Sequence, residues 1–346
     1  MNRTENVLDG IQPMGYGSPS AVCYIGSVIR LMEYLRDPVE ADELFSLSGA
    51  ALCFPWKINL TCDEISILPE IPRRTFAALG YKSEYVCEPD IKTTPRKYSK
   101  EFYIEKIKAS IDAGKPVIGF GFTELNFTCL LTGYFNNGEG LYLRSYWSPG
   151  HQPTGYDAEQ QYYRIENWYD KFYGIIVIGE KTADRLSGGS AYGYIKENAR
   201  IFKDKKTETA YGQTIYNNTT AYEDMIMWLL DDSQWLEGCD MNYRDCLLKP
   251  CGVLLLNHYR SHLHSYLGRL DKQYPGLVNP EIRPAIERLG ECFPGAERST
   301  LSLEQCIDPS VTDFAMLHEH AVRGKVAEYV QKLRKFDSEI FDAVIE

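Results

Sequence analysis

Apolar residues between positions 20 and 36 recur at Val22, Ile25, Val28, Ile29, Met32 and Leu35. That spacing predicts a helix with one buried face. Ser18-Pro19-Ser20 ahead of it is a start signal, and Asp37-Pro38 ends it, since a residue before proline is pushed out of the helical region. A second helix is predicted near 39–47, a third over 71–80, and a strand over 81–87. Residues 99–113 read as an amphipathic helix closed by Gly114, a residue that accepts the left-handed conformation past a helix end. Three strand patterns follow: Pro116 to Phe122, Phe127 to Phe135, and Gly140 to Trp147. Asn136-Asn137-Gly138 joins the last two and is a hairpin signal, because Asn and Gly tolerate positive φ. Gly174 to Ile178 is the last strand pattern.

After Glu180 the strand patterns give way to helical ones. Thr219-Thr220 starts a helix through Trp228 to Leu230, and long helices are predicted near 242–272, 280–293 and 311–344. Ser187-Gly188-Gly189-Ser190 reads as a linker. The pattern therefore predicts an α+β class: an α+β domain over 1–180 and an all-helical domain over 181–346.

Composition narrows the partners. The 346 residues are 44% hydrophobic, enough for two cores and too much for a disordered chain. With 37 Lys+Arg against 48 Asp+Glu the net charge is −11, which argues against nucleic acid as a partner, since that binding depends on clustered cations. No apolar run approaches a membrane span, so no membrane partner is expected. Residues 1–10 lack the apolar stretch of a signal peptide, and ten scattered cysteines without a CxxC fit a reducing compartment. The expected location is the cytoplasm. The 25 tyrosines suit a tyrosine-rich surface, and with it a homodimer.

The chemistry centres on Cys23. It falls in the first turn of the first predicted helix, where the positive end of the helix dipole favours a thiolate. A cysteine heading a helix, with a later β-hairpin to supply a base and its orienting partner, is the outline of a papain-like cysteine enzyme. The stretch Cys23-Tyr-Ile-Gly-Ser-Val-Ile-Arg-Leu-Met-Glu-Tyr-Leu resembles the nucleophile helix of the double-glycine leader cysteine peptidases. Ala113-Gly-Lys-Pro-Val-Ile, Leu130-Leu-Thr-Gly-Tyr and Gly140-Leu-Tyr-Leu resemble the hairpin that carries the base in the same family. The N-terminal domain of the butirosin biosynthesis protein H family is more similar still. Its members follow the cysteine helix with a segment that here reads Glu40-Ala-Asp-Glu-Leu-Phe-Ser-Leu-Ser-Gly-Ala-Ala-Leu-Cys-Phe. The resemblance covers roughly residues 12–180.

The resemblance implies a papain-like fold for the first domain. It implies cysteine-dependent acyl or amide transfer, or hydrolysis, on a small-molecule or peptide substrate or a carrier-bound thioester in specialised metabolism. An acyl carrier protein is then a partner. Two positions depart from the pattern. The family histidine falls at about Phe127, and the family acid at about Ser145. Neither side chain can be a base or a carboxylate orienter. His151, the only histidine in the first 250 residues, lies a few residues beyond the point opposite Phe127 and is the replacement candidate for the base. Glu124 and Asp157 are candidate orienting carboxylates, while Asn126 and Thr128 offer hydrogen bonds alone. The catalytic candidates are thus Cys23 and His151. The alternative is a catalytically degenerate papain-like binding protein.

In the second half His258 and His262 are four apart on one helix face, with His318-Glu319-His320 further along and Cys246 and Cys251 before them. No HExxH pattern accompanies them, so the expectation is a helix surface with no metal and no cofactor. Arg260, Arg269, Lys272 and His262 form a basic stripe suited to a carrier protein's acidic face. Tyr192, Tyr194, Tyr211, Tyr216 and Tyr222 are read chiefly as packing residues.

Overall fold

A computed structural model describes residues 3–14, 19–20, 22–56, 68–88, 95–122, 128–145, 156–157, 162–170, 172–203, 206–208, 214–217, 219–240, 254–292 and 314–346. The chain divides into two compact units built from interleaved segments. The first comprises Met1–Leu44, Thr61–Arg185 and Thr209–Gln213; the second comprises Phe45–Leu60, Leu186–Glu208 and Thr214–Glu346.

The first unit is an α+β structure around an antiparallel sheet. Its strands, in chain order, are β1 (Asn6–Val7), β3 (Tyr81–Cys87), β4 (Val117–Phe120), β5 (Thr128–Phe135), β6 (Gly140–Arg144), β7 (Tyr156–Asp157), β8 (Tyr162–Glu166) and β9 (Gly174–Lys181). The spatial order is β3-β9-β4-β5-β6-β8-β7, with β1 added on β5. Every residue of β4 and β5 is buried, which requires cover on both faces and explains their continuous apolar runs. Helices α1 (Cys23–Tyr34) and α3 (Glu70–Leu79) are tied by a 3.0 Å bond from the Tyr24 hydroxyl to Thr75 Oγ1. Helix α4 (Lys100–Asp112) is tied to β5 by a 2.8 Å bond from the Tyr134 hydroxyl to Asp112.

Local signals fix these elements. The Ser99 hydroxyl caps α4 by accepting from the Phe102 N–H. Gly80 ends α3 at φ 80°, and a Cβ there would lie 2.1 Å from the Ala183 carbonyl oxygen. The hairpin between β5 and β6 uses positive φ at Asn136, Asn137 and Gly138 (49°, 59° and 99°), in line with the sequence pattern. Asp37, just past α1, accepts from Lys181 (2.7 Å) and Tyr81 (3.0 Å) and pairs with Arg185 (2.6 Å). The buried Glu88 accepts from the Tyr103 hydroxyl and the backbone N–H groups of Lys97 and Tyr98.

The second unit contains the C-terminal half of α2 (Ala41–Ser48), then α5 (Gly188–Phe202), α6 (Thr219–Leu230), α7 (Leu254–Gln273), α8 (Ile282–Gly290) and α9 (His320–Ile345). Leu256, Tyr259, Leu263, Tyr266, Leu267 and Leu270 line one buried face of α7 at helical spacing. Leu254 and Leu255 begin that helix, and their side chains lie outside the described residues.

Three sequence expectations need correction here. Residues 181–346 are not helical throughout: β10 (Lys206–Glu208) pairs with β11 (Thr214–Asn217), which pairs with β2 (Pro55–Trp56). The cause is non-local, because the third strand of this small sheet is supplied by residues far earlier in the chain. For the same reason the boundary near 180 is incomplete, since residues 45–60 belong to the second unit. The 187–190 cluster is a helix start instead of a linker. The Ser190 hydroxyl accepts from the Ser187 N–H (3.2 Å) and donates to the Ser187 carbonyl (2.8 Å), which anchors the first turn of α5.

Arg260 is corrected as well. It is completely buried instead of lying on a basic surface stripe, whereas Arg269 and Lys272 are exposed. Its guanidinium donates to both oxygens of buried Asp337 (2.6 and 2.8 Å) and to the Ala51 carbonyl. The Tyr222 hydroxyl adds a 3.1 Å bond to the same carboxylate. This network joins α6, α7, α9 and the 3-10 turn Ala50–Leu52.

Candidate active site

Cys23 is the first residue of α1, and Val22 is the cap position, with extended backbone (φ −101°, ψ 115°). Among the described residues no side chain caps this helix, and its first turn carries no acidic residue. The Val22 N–H is taken up by Ser20 Oγ at 3.1 Å. Leading an uncapped helix puts the sulfur at the positive end of the helix dipole, where a thiolate is favoured. The helix is buried from Cys23 to Ile29, and Cys23 itself is only 3% exposed. Burial pushes the ionisation of the neighbouring Tyr24 well up, with the Thr75 hydrogen bond opposing it.

Strand register decides which residues share a face with α1. Tyr85, Ile176, Ile118, Leu130 and Arg144 are paired in one row across β3, β9, β4, β5 and β6. Paired residues project to the same side of a sheet. Helix α1 packs against β5, whose faces are both buried, and with α4 on the opposite face α1 covers this one. The next row, Gly174, Phe120 and Thr128, shares it. The opposite side belongs to α4. There a Cβ on Gly119 would meet the Phe122 ring, Phe122 stacks on Phe172 (4.7 Å), and Phe172 meets Tyr103 of α4 edge-on (4.6 Å).

Alternation therefore puts Thr128, Leu130 and Arg144 on the α1 face, and Cys129 on the α4 face. Ser145 is buried, and its hydroxyl has no hydrogen-bond partner among the described residues. The sequence-derived position for the acid thus holds no carboxylate. Its neighbour Arg144 faces the α1 side, a residue the sequence reading passed over. A lone arginine at the end of the apolar strand Gly140-Leu-Tyr-Leu was the available signal.

The Arg144 guanidinium lies 3.8 Å over the Tyr162 ring, and the Tyr162 hydroxyl donates to the Leu8 carbonyl (2.9 Å). Burial raises the ionisation of Tyr162, and the Arg144 charge opposes that shift. Glu5, Val7, Asp9, Tyr142, Arg144 and Tyr162 line an open groove of about 580 Å³. Glu5 accepts a 2.7 Å bond from the Tyr142 hydroxyl at its rim. The groove therefore presents one cation and two carboxylates.

The structure thus brings together the helix of Cys23 and the sheet face of Thr128 and Arg144. Phe127, His151, Glu124 and Asn126 lie outside the described residues, as does the side chain of Asp157. Cys246 and Cys251 also lie outside them, as do the side chains of Tyr211 and Tyr216, while Tyr192 and Tyr222 are buried packing residues. His318 contacts the Trp235 carbonyl (3.2 Å), and His320 pairs with Asp232 (2.8 Å). Among the described residues no group of three or more His, Cys, Asp or Glu side chains is arranged to hold a metal ion. No helix among them is long and apolar enough to cross a membrane. Comparison with protein-family models gives no match, and comparison with curated proteins gives none either.

Proposed function

We propose that the first unit performs cysteine-dependent acyl or amide transfer in the papain-like manner, with Cys23 as nucleophile. The observation that carries this reading is the placement of Cys23 at the head of an uncapped helix laid on an antiparallel sheet. The Cys23 thiolate attacks the carbonyl carbon of a thioester, and the tetrahedral intermediate expels the carrier thiolate, which takes up a proton. The backbone N–H groups of the first turn of α1 are the oxyanion donors. An acceptor amine, or water, then attacks the acyl-cysteine. His151 is the base that removes its proton, and the Cys23 thiolate is the leaving group. The substrate is a small molecule or a carrier-bound acyl group, handled in a reducing, cytoplasmic setting.

The test is mass spectrometry of the protein after incubation with short-chain acyl thioesters. The proposal expects an acyl adduct on the Cys23 peptide, none at that site in Cys23→Ala, and slower turnover of the adduct in His151→Ala. It is overturned if the parent forms no adduct there, or if Cys23→Ala transfers acyl groups at the parent rate.

One observation favours a second reading, a binding protein of the same fold without catalysis. Ser145, at the expected acid position, is buried and carries no carboxylate. That reading predicts ligand binding that persists unchanged in Cys23→Ala, with no adduct at any time.

A further inference from the structure

The second unit holds a pair of imidazoles whose geometry the acyl chemistry does not use. His258 and His262 stand one turn apart on α7, both partly buried. Their Nε2 atoms are 3.3 Å apart, while their ring centroids are 4.6 Å apart, so the two rings converge at their Nε2 tips. Two nitrogens bound at about 2.0–2.1 Å to one tetrahedral ion sit about 3.3–3.4 Å from each other. The pair therefore already has the spacing of one edge of a tetrahedral metal site. Packing holds it there: Phe45 stacks on the His262 ring at 4.1 Å and 7°, and meets the His258 ring edge-on at 5.7 Å. A ring fixed in this way loses little freedom on ligation.

We propose that His258 and His262 bind one divalent transition-metal ion through their Nε2 atoms. The ion takes the place of the direct contact between the two nitrogens. Imidazole donors suit Zn²⁺, Ni²⁺ and Cu²⁺, and exclude Mg²⁺ and Ca²⁺, which take oxygen ligands. Among the described residues no third His, Cys, Asp or Glu joins them, so water or a small anion completes the coordination. Such a site exchanges its outer ligands readily and binds more weakly than a closed four-ligand site. By the usual order of divalent ions, Ni²⁺ binds more weakly than Cu²⁺.

The probe is Ni²⁺ alone, added to untagged full-length protein labelled with ¹³C at the histidine rings. The chain has six histidines, so six ring Cε1–H signals are expected. His258→Gln assigns one of the pair. His262→Phe assigns the other while keeping an aromatic ring over Phe45. The proposal expects both paired signals to broaden together at substoichiometric Ni²⁺, ahead of the other four. In either variant the surviving partner should need at least tenfold more Ni²⁺ to broaden. Because the signals are resolved by residue, binding to the ten cysteines does not confuse the result. Broadening that begins at other histidines overturns the proposal. So does a surviving partner that titrates as in the parent.

Discussion

The buried Arg260–Asp337 pair gives the sharpest energetic prediction. Arg260 is completely buried and Asp337 is 1% exposed, so each charge relies on protein partners. Asp337→Leu removes a carboxylate that accepts two bonds from Arg260 and one from Tyr222. It leaves a guanidinium in the core that still donates to the Ala51 carbonyl. Breaking a buried pair from one side costs about 3–5 kcal/mol, because the stranded charge keeps its desolvation penalty. Arg260→Met strands Asp337 in the same way and costs a similar amount. The double variant strands neither charge and is expected within about 1–2 kcal/mol of the parent, since apolar replacements of buried pairs are often tolerated. The coupling in the double-mutant cycle is therefore at least about 4 kcal/mol. Native-state hydrogen exchange of the α9 amides measures it. Each single variant should lower protection roughly 150- to 5,000-fold, and the double should restore most of it. Single costs that simply add, or that fall below about 1 kcal/mol each, would refute the argument.

Three further outcomes follow from the same geometry. Burial pushes the Cys53 and Cys87 thiols up to about 12, so at pH 8.5 both should alkylate roughly a thousandfold slower than an ordinary thiol of pKa about 8.5; comparable rates would contradict the burial described. Gly80→Ala should cost more than about 2 kcal/mol in a urea melt, because φ is 80° and the new Cβ meets the Ala183 backbone. Gly114→Ala, at φ 76° with open space around it, should cost about 1 kcal/mol, and equal costs would show that the close approach is unimportant. Partial burial raises the ionisation of Asp37, but hydrogen bonds from Lys181 and Tyr81 and the charge of Arg185 outweigh it, so the net shift is downward. A lowered carboxylate adds stability above its unfolded pKa of about 3.9 and loses it as pH falls through the folded value. The stability gap between parent and Asp37→Asn should therefore be full at pH 5 to 6 and close as pH falls through the lowered folded value; a gap independent of pH would contradict the ion-pair account.

The sequence made the first unit's regular elements legible where the signals were local. The strand Tyr81–Cys87, the hairpin turn at Asn136 to Gly138, and the end of α4 at Gly114 all rest on residues within a few positions of each other. What was not legible depends on distant partners. The strand β8 is defined by pairing with β6, and the small sheet of the second unit by residues 55–56 pairing with 214–217. Arg260 illustrates the same limit, since nothing near it in the chain announces Asp337, 77 residues away. For the site, the helix-start position of Cys23 was readable, whereas the facing of Arg144 was not. That facing follows from the row Ile118–Leu130–Arg144, and the register of β5 against β6 shifts between Leu131 and Gly133, an irregularity with no clear mark in the composition of either strand.

The central claim is that Cys23 is an activated nucleophile, and the rate of iodoacetamide alkylation at each cysteine against pH tests it most directly, read by peptide mass spectrometry. The account predicts that Cys23 reacts faster than its nine companions and reaches half its maximal rate below pH 7. A Cys23 that stays unmodified, or whose rate rises only near the ordinary thiol pKa of about 8.5, would contradict it.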